Sequence, residues 1–233
     1  MKIKKTKQAD KRIFNKWKRG TLLIVTGPQG SGNHLFSRIL SLHPDVTGWD
    51  SLLEEYWVPS DLEPLAPYWV EPDSLPFNYF GEGGYFLANV SCPFFYDGKR
   101  YIPKIKELAE RAQLFRLKVV IAIIVRDQNI NEQQQLRVRG EVTLPIAQNY
   151  YYKNLMDDFE VHYLDYEAFF LHKEHYLKWV GKTLNFPVDY DNKDIMKFIT
   201  EDSNKKYVNY VEEHWLDKDV WNGIKSKKER GLE

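Results

Sequence analysis

The most specific chemistry in the chain lies in eight consecutive residues, Gly27-Pro28-Gln29-Gly30-Ser31-Gly32-Asn33-His34. Closely spaced glycines let successive backbone N–H groups turn toward one point. A helix starting just after them would add the partial positive charge of its N-terminus. Such a loop suits a phosphate or sulfate group; a tight strand-to-helix turn without a ligand is the plainer use of the same residues. A second group is Arg126, which closes an apolar run where α/β sheets bind ligands. It would serve either as an anion holder or as an ordinary ion-pair partner. Asp50, Glu54 and Glu55 read most simply as solvated surface acids. The Arg137/Arg139 pair would contact an anion or flank a turn at Gly140.

These groups need a scaffold. Thr21 to Thr26 is a short apolar run ending in a glycine turn and predicts a buried strand. His34 to Leu42 has apolar residues at 35, 36, 39, 40 and 42, which predicts a helix packed on that strand. Tyr85 to Val90 is a candidate strand, and Pro103 to Phe115 a helix with Pro in its first turn. Lys118 to Val125, mostly β-branched and apolar, is the strongest strand signal. Val161 to Leu164 predicts another strand, followed by a helix from Tyr166 or His172 to Leu184. Strands alternating with helices imply an α/β fold with a mainly parallel central sheet flanked by helices. A chain of 233 residues fits a single domain.

Charge is unevenly placed around a formal net charge of zero. Residues 2–19 hold nine Lys or Arg against one acid, which reads as a basic arm or capping helix over 1–20. Residues 39–98 hold no Lys or Arg, but ten acids and, between Trp49 and Tyr96, thirteen aromatics. Prolines at 59, 64, 67, 72 and 76 oppose regular helix there, so 49–98 is expected to be an irregular, aromatic-rich insertion or lid. Neither the overall charge nor any apolar run points to nucleic acid or a membrane. The single cysteine, Cys92, excludes an intrachain disulfide and reads as a packed residue. The histidines are too dispersed for a metal site, and His172 and His175 are expected on a helix surface. A cytoplasmic protein is the expectation.

Two loop signatures bear on the ligand. The spacing fits the start of G-x-x-x-x-G-K-[ST], but Asn33 stands where Lys belongs and His34 where the Mg²⁺-binding hydroxyl belongs, which disfavours an ATP- or GTP-hydrolysing site. Ser31-Gly32-Asn33-His34-Leu35 instead resembles the 5′-phosphosulfate loop of the sulfotransferases, with Asn33 and His34 replacing hydroxyl residues. Ile39-Leu40-Ser41-Leu42-His43-Pro44-Asp45-Val46 is similar to the L-x-x-H-P-x-V stretch that follows this loop in glycan and glycolipid sulfotransferases. Ile124-Val125-Arg126-Asp127 resembles the family's second signature, with Gln134 at the position of its later serine. Val161 to Phe169 is similar to a further strand and turn, and Trp179 to Pro187 to a helix end. Short chains of this style also resemble sulfotransferase-like proteins encoded by bacterial viruses (phage).

The resemblance implies a three-layer phosphate-loop-type fold that uses 3′-phosphoadenosine 5′-phosphosulfate (PAPS, leaving PAP) without a metal. It implies Gly27, Gln29, Gly30, Ser31, Gly32, Asn33 and His34 around the 5′ group, and Arg126 with Gln134 on the 3′-phosphate. Arg139, Arg137, Lys18 or Arg19 would add charge. Glu54 and Asp50 are the base candidates, with His34 as a hydrogen-bond donor or acid. The acceptor would be a small polar molecule or saccharide, facing the 49–96 region. The chain departs from the family in having Gln29 and Gly30 where the loop lysine is expected, and Asn89-Val90-Ser91-Cys92-Pro93 where a second Lys or His precedes a Pro. The alternatives are a sulfotransferase-like protein without catalysis, binding a protein partner or a second copy of itself, and a degenerate nucleotide binder of the phosphate-loop type.

Overall fold

The computed structural model describes residues 20–55, 58–81 and 83–201. Nearly all of the expected basic arm, with Lys18 and Arg19, lies outside the described residues. The chain begins with β1 (Gly20–Pro28), α1 (Asn33–Leu40), β2 (Val46–Thr47), α2 (Ser51–Glu54) and α3 (Ala66–Val70). Next come β3 (Tyr85–Cys92), a small hairpin of β4 (Phe94–Tyr96) and β5 (Lys99–Tyr101), and α4 (Ile105–Leu114). β6 (Leu117–Val125), α5 (Gln128–Arg139), α6 (Leu144–Asn154), β7 (Glu160–Asp165), α7 (Tyr166–Leu184) and α8 (Asp194–Glu201) follow.

The main sheet has the order β2-β3-β1-β6-β7, and every neighbouring pair is parallel. Side chains alternate across β1, so the two faces bury different helices. Leu22 and Ile24 pack with Ile105 and Leu108 of α4 and Ala147 and Tyr151 of α6. Leu23 and Val25 pack with Phe36 and Ile39 of α1, Phe169 and Leu177 of α7, and Phe198 of α8. The result is a three-layer α/β fold with a fully covered central strand, as the apolar runs predict.

Two expectations change. The irregular stretch of 49–98 ends at residue 84, because Tyr85–Cys92 is β3, a core strand beside β1. Before it, among the described residues, 49–84 forms only short helical turns, of which Trp69 and Leu75 enter the core. The helix after β7 reconciles its two expected starts: it begins at Tyr166 but breaks at Lys173, whose φ of 46° and ψ of −115° are not helical.

α5 and α6 carry no clear apolar period. The buried residues of α5 are Asn131, Gln134 and Gln135. A helix that buries amides shows no hydrophobic stripe.

Candidate functional site

The loop between β1 and α1 closes on itself. Gly30 and Gly32 have φ of 84° and 102°, a region that a side chain would strain, and Gly32 precedes α1 with no capping side chain. Ser31 N–H donates to Pro28 O at 3.1 Å. Asn33 is buried and turned inward: Nδ2 donates to Gly27 O at 3.3 Å and to Ser91 Oγ at 3.1 Å, while Ser31 Oγ donates to Asn33 Oδ1 at 2.8 Å. A Cβ on Gly27 would collide with Ser31 Oγ and Asn33 Oδ1, and one on Gly32 with the Tyr166 ring. The glycines are thus needed for close approach as well as for backbone conformation.

Arg126, at the carboxyl end of β6, is brought against this loop. Its Nη1 donates to Gln134 Oε1 at 3.0 Å and to Gly30 O at 3.2 Å. Nε donates to Glu167 Oε1 at 3.3 Å, and the guanidinium lies 4.5 Å above the Tyr166 ring. The Glu167 carboxylate also accepts from Asp127 N–H, which binds α7 to the turn after β6. The ion-pair and anion-holder readings of Arg126 therefore coexist geometrically: one edge of the guanidinium meets Glu167, another the loop and Gln134.

A buried amide network holds the loop from the α5 side. Gln29 O accepts from Asn131 Nδ2 at 3.3 Å and from Gln135 Nε2 at 2.8 Å. Gln135 Nε2 also donates to Asn131 Oδ1 at 2.9 Å, while its Oε1 accepts from Thr143 N and Leu144 N at 2.7 and 2.9 Å. The Gln29 side chain is buried and bonded by Thr143 Oγ1 at 3.2 Å. One side chain, Gln135, therefore joins the loop, α5 and the first turn of α6.

Beside the loop and Arg126 opens a cleft of about 300 Å³, within the size range of small-ligand sites. Ser31 and Arg126 line its end, and Tyr151, Tyr152, Met156 and Tyr163 form much of its wall. Arg126 is the one charged side chain among the described residues that line it. No described residue of 49–96 contributes to this wall, although the aromatic run there was the expected acceptor side.

No protein-family model matches the chain, and neither does any curated protein. Among solved structures, the chain is similar to a mouse sulfotransferase, SULT7A1, complexed with PAP: 13% identity, TM-score 0.39, covering 79% of this chain. The match spans 65% of that enzyme's chain.

The remaining sequence candidates scatter. His34 is half-buried and sits edge-on to Trp49, with ring centroids 5.3 Å apart. Asp50 and Glu54 are exposed, just before and at the end of α2. Arg139 is exposed in the last turn of α5, five residues or about 7.5 Å along the axis past Gln134. Arg137 shares that turn, and Gly140, with φ of 73°, caps it, a favourable place for cations on the helix dipole. Cys92 is fully buried, and burial pushes its thiol up to about 12. Among the described residues, no group of three His, Cys, Asp or Glu is placed to hold a metal ion, and no helix is long and apolar enough to cross a membrane.

The sequence reading missed Asn131, Gln135, Thr143 and Glu63. Glu63 is buried and accepts from Leu65 N at 2.8 Å, Trp69 Nε1 at 2.9 Å and Asn89 N at 3.2 Å. β2 pairs with β3 only as far as Phe86, so this carboxylate takes up a β3 N–H that β2 leaves open. Burial raises the Glu63 pKa to about 8, although all three N–H donors pull it down. The one available signal was the amide-rich run Gln133-Gln134-Gln135 after Arg126; nothing in sequence distinguished Glu63 from its acidic neighbours.

Proposed function

We propose that this chain is a sulfotransferase-like protein that binds a 3′-phosphoadenosine nucleotide at the loop and Arg126. It would transfer a sulfuryl group from PAPS to the hydroxyl or amine of a small polar or saccharide acceptor. The observation that carries this reading is the convergence of Arg126, Gln134 and Gly30 O. A guanidinium from the end of one central strand is held against the glycine loop that ends the next, with its later partner eight residues on. Glycine-loop N–H groups and an uncapped helix start fit an anion at Ser31 to His34. Arg126 fits a second phosphate, and the adjoining cleft leaves room for a small molecule. The donor, when bound, supplies the activated sulfuryl group. The chain's own part would be to orient phosphates through Arg126 and Ser31, with Asp50 or Glu54 as the acceptor's base and His34 as a hydrogen-bond donor or acid.

A second reading is favoured by one feature of the cleft. Arg126 is the one charged side chain among its described lining residues, and Gln29 points into the amide network rather than toward a ligand. Transfer needs cationic groups beside the leaving phosphate to offset the negative charge that builds on it. A protein that binds the nucleotide, a protein partner or a second copy of itself without turnover would not.

Calorimetric titration with 3′,5′-adenosine bisphosphate, with Mg·ATP as control, tests the proposal. Metal-independent binding that Arg126→Ala weakens at least tenfold is expected, followed by turnover of PAPS with neutral hydroxyl acceptors. Binding without turnover over a broad acceptor panel would favour the second reading. No binding at millimolar nucleotide would end both as nucleotide sites.

A further inference from the structure

α1 and β3 lie against each other on one face of the sheet, and their repeats match: four helical residues advance about 6 Å and two strand residues about 6.6 Å. Positions 33 and 37 of α1, and Ser41 just past its end, therefore meet positions 91, 89 and 87 of β3. At the loop end, Asn33 Nδ2 is 3.1 Å from Ser91 Oγ. At the far end, a Cβ on Gly48 would lie 2.9 Å from Ser41 Oγ and 3.2 Å from Leu87 Cβ, which places Ser41 beside Leu87. Between these two contacts the periodicity sets Ser37 opposite Asn89. Both are buried, at 0% and 4% exposure.

Among the described residues, no group hydrogen-bonds Ser37 Oγ, Ser41 Oγ, Trp49 Nε1 or either polar atom of the Asn89 side chain. Trp49 touches His34, one turn before Ser37 on α1. Buried polar atoms without partners are costly and rare, and several along one seam call for a shared occupant. The carboxamide and hydroxyls offer donors and acceptors together, and the indole adds a donor. A bare cation would face N–H groups and an anion would face Asn89 Oδ1. Water satisfies both kinds, and polar internal sites of this sort hold it.

We infer that the α1–β3 seam is an internal hydration site. At least one water is held between the Asn89 carboxamide and the Ser37 hydroxyl, continuing the Asn33–Ser91 bond from the loop into the protein. The site stands independently of whether a nucleotide binds.

A high-resolution crystal structure of the protein tests it directly. Ordered water at about 2.7–3.2 Å from Asn89 and Ser37 is expected. An empty seam would overturn the inference. So would a cation with oxygen contacts at about 2.3–2.6 Å, or a bromide anomalous peak after halide soaking. Asn89→Leu supplies a second readout. If water links Asn89 to Ser37, the substitution strands that water and Tm falls by about 2–6 °C. If the seam is dry, Leu removes an unsatisfied amide and Tm rises, which would overturn the inference.

Discussion

Two polar regions flank the same glycine loop, and they resolve burial in opposite ways. On the α5 side, Gln135 is fully buried and bonds Gln29 O, Asn131 Oδ1, Thr143 N and Leu144 N, so both ends of its amide are engaged by protein. On the α1 side, Asn89 is nearly as buried, yet neither end of its side-chain amide meets a partner among the described residues. The same functional group is thus a rigid joint in one place and a holder of solvent in the other. The difference lies in what each amide faces. Gln135 faces backbone groups at a helix start and a loop, which have hydrogen-bonding capacity to spare. Asn89 lies on the α1 side of β3, and the backbone bonds of α1 are already made within the helix. The loop is consequently braced on both sides, by Gln135 from α5 and by Asn33 from the start of α1, and the unbonded amide lies one step further along β3.

The largest break in that contrast should come from Gln135→Leu. It strips partners from several buried groups at once, each worth about 1–3 kcal/mol. A loss of about 3–5 kcal/mol in urea unfolding is expected, well beyond the effect of Asn89→Leu. Comparable losses for the two would show that the amide network is no more rigid than the seam.

Glu63 sharpens the comparison from the open edge of β3, because it is saturated by donors yet buried. With a folded pKa of about 8 against 4.5 unfolded, the folded protein keeps a proton that the unfolded chain has released between these values. Its contribution is full below about pH 4.5 and is lost as pH rises toward 8, at up to about 1.4 kcal/mol per unit. Urea midpoints of wild type and Glu63→Gln across pH 5 to 8 should therefore differ by a slope of that sign. Parallel profiles would mean that the three N–H donors keep Glu63 ionised.

The smallest effect is expected at the helix that carries the network. Asp127 caps α5 by accepting from Ile130 N at 3.0 Å, and Asp127→Ala should cost about 1 kcal/mol. Nucleotide titration of this variant would show whether a frayed α5 start also loosens Arg126, its immediate neighbour.

The legible parts of the chain were those in which apolar residues do the burying. The runs at 21–26 and 118–125 become β1 and β6, and the spacing from His34 onward becomes α1. The loop was legible because its glycines sit where backbone must approach backbone, as the crowding at Gly27 shows. α5 was not, since Asn131, Gln134 and Gln135 are polar letters whichever way they face. The aromatic run of 49–96 was ambiguous for the converse reason. Its rings signal burial but not against what: Trp69 and Phe86 join the core, whereas the cleft takes its tyrosines from α6 and β7.

The sequence by itself determined a parallel α/β scaffold with a glycine loop between its first strand and helix, because strand and helix periods and glycine's backbone freedom are local properties. Only the tertiary structure decided that Arg126 reaches the loop 96 residues earlier, that Gln29 turns away from the cleft, and that Gln135 is bonded throughout while Asn89 is not. These outcomes depend on which polar groups meet across elements distant in sequence, and hydrogen-bond partnership at that range leaves no periodic trace in the chain.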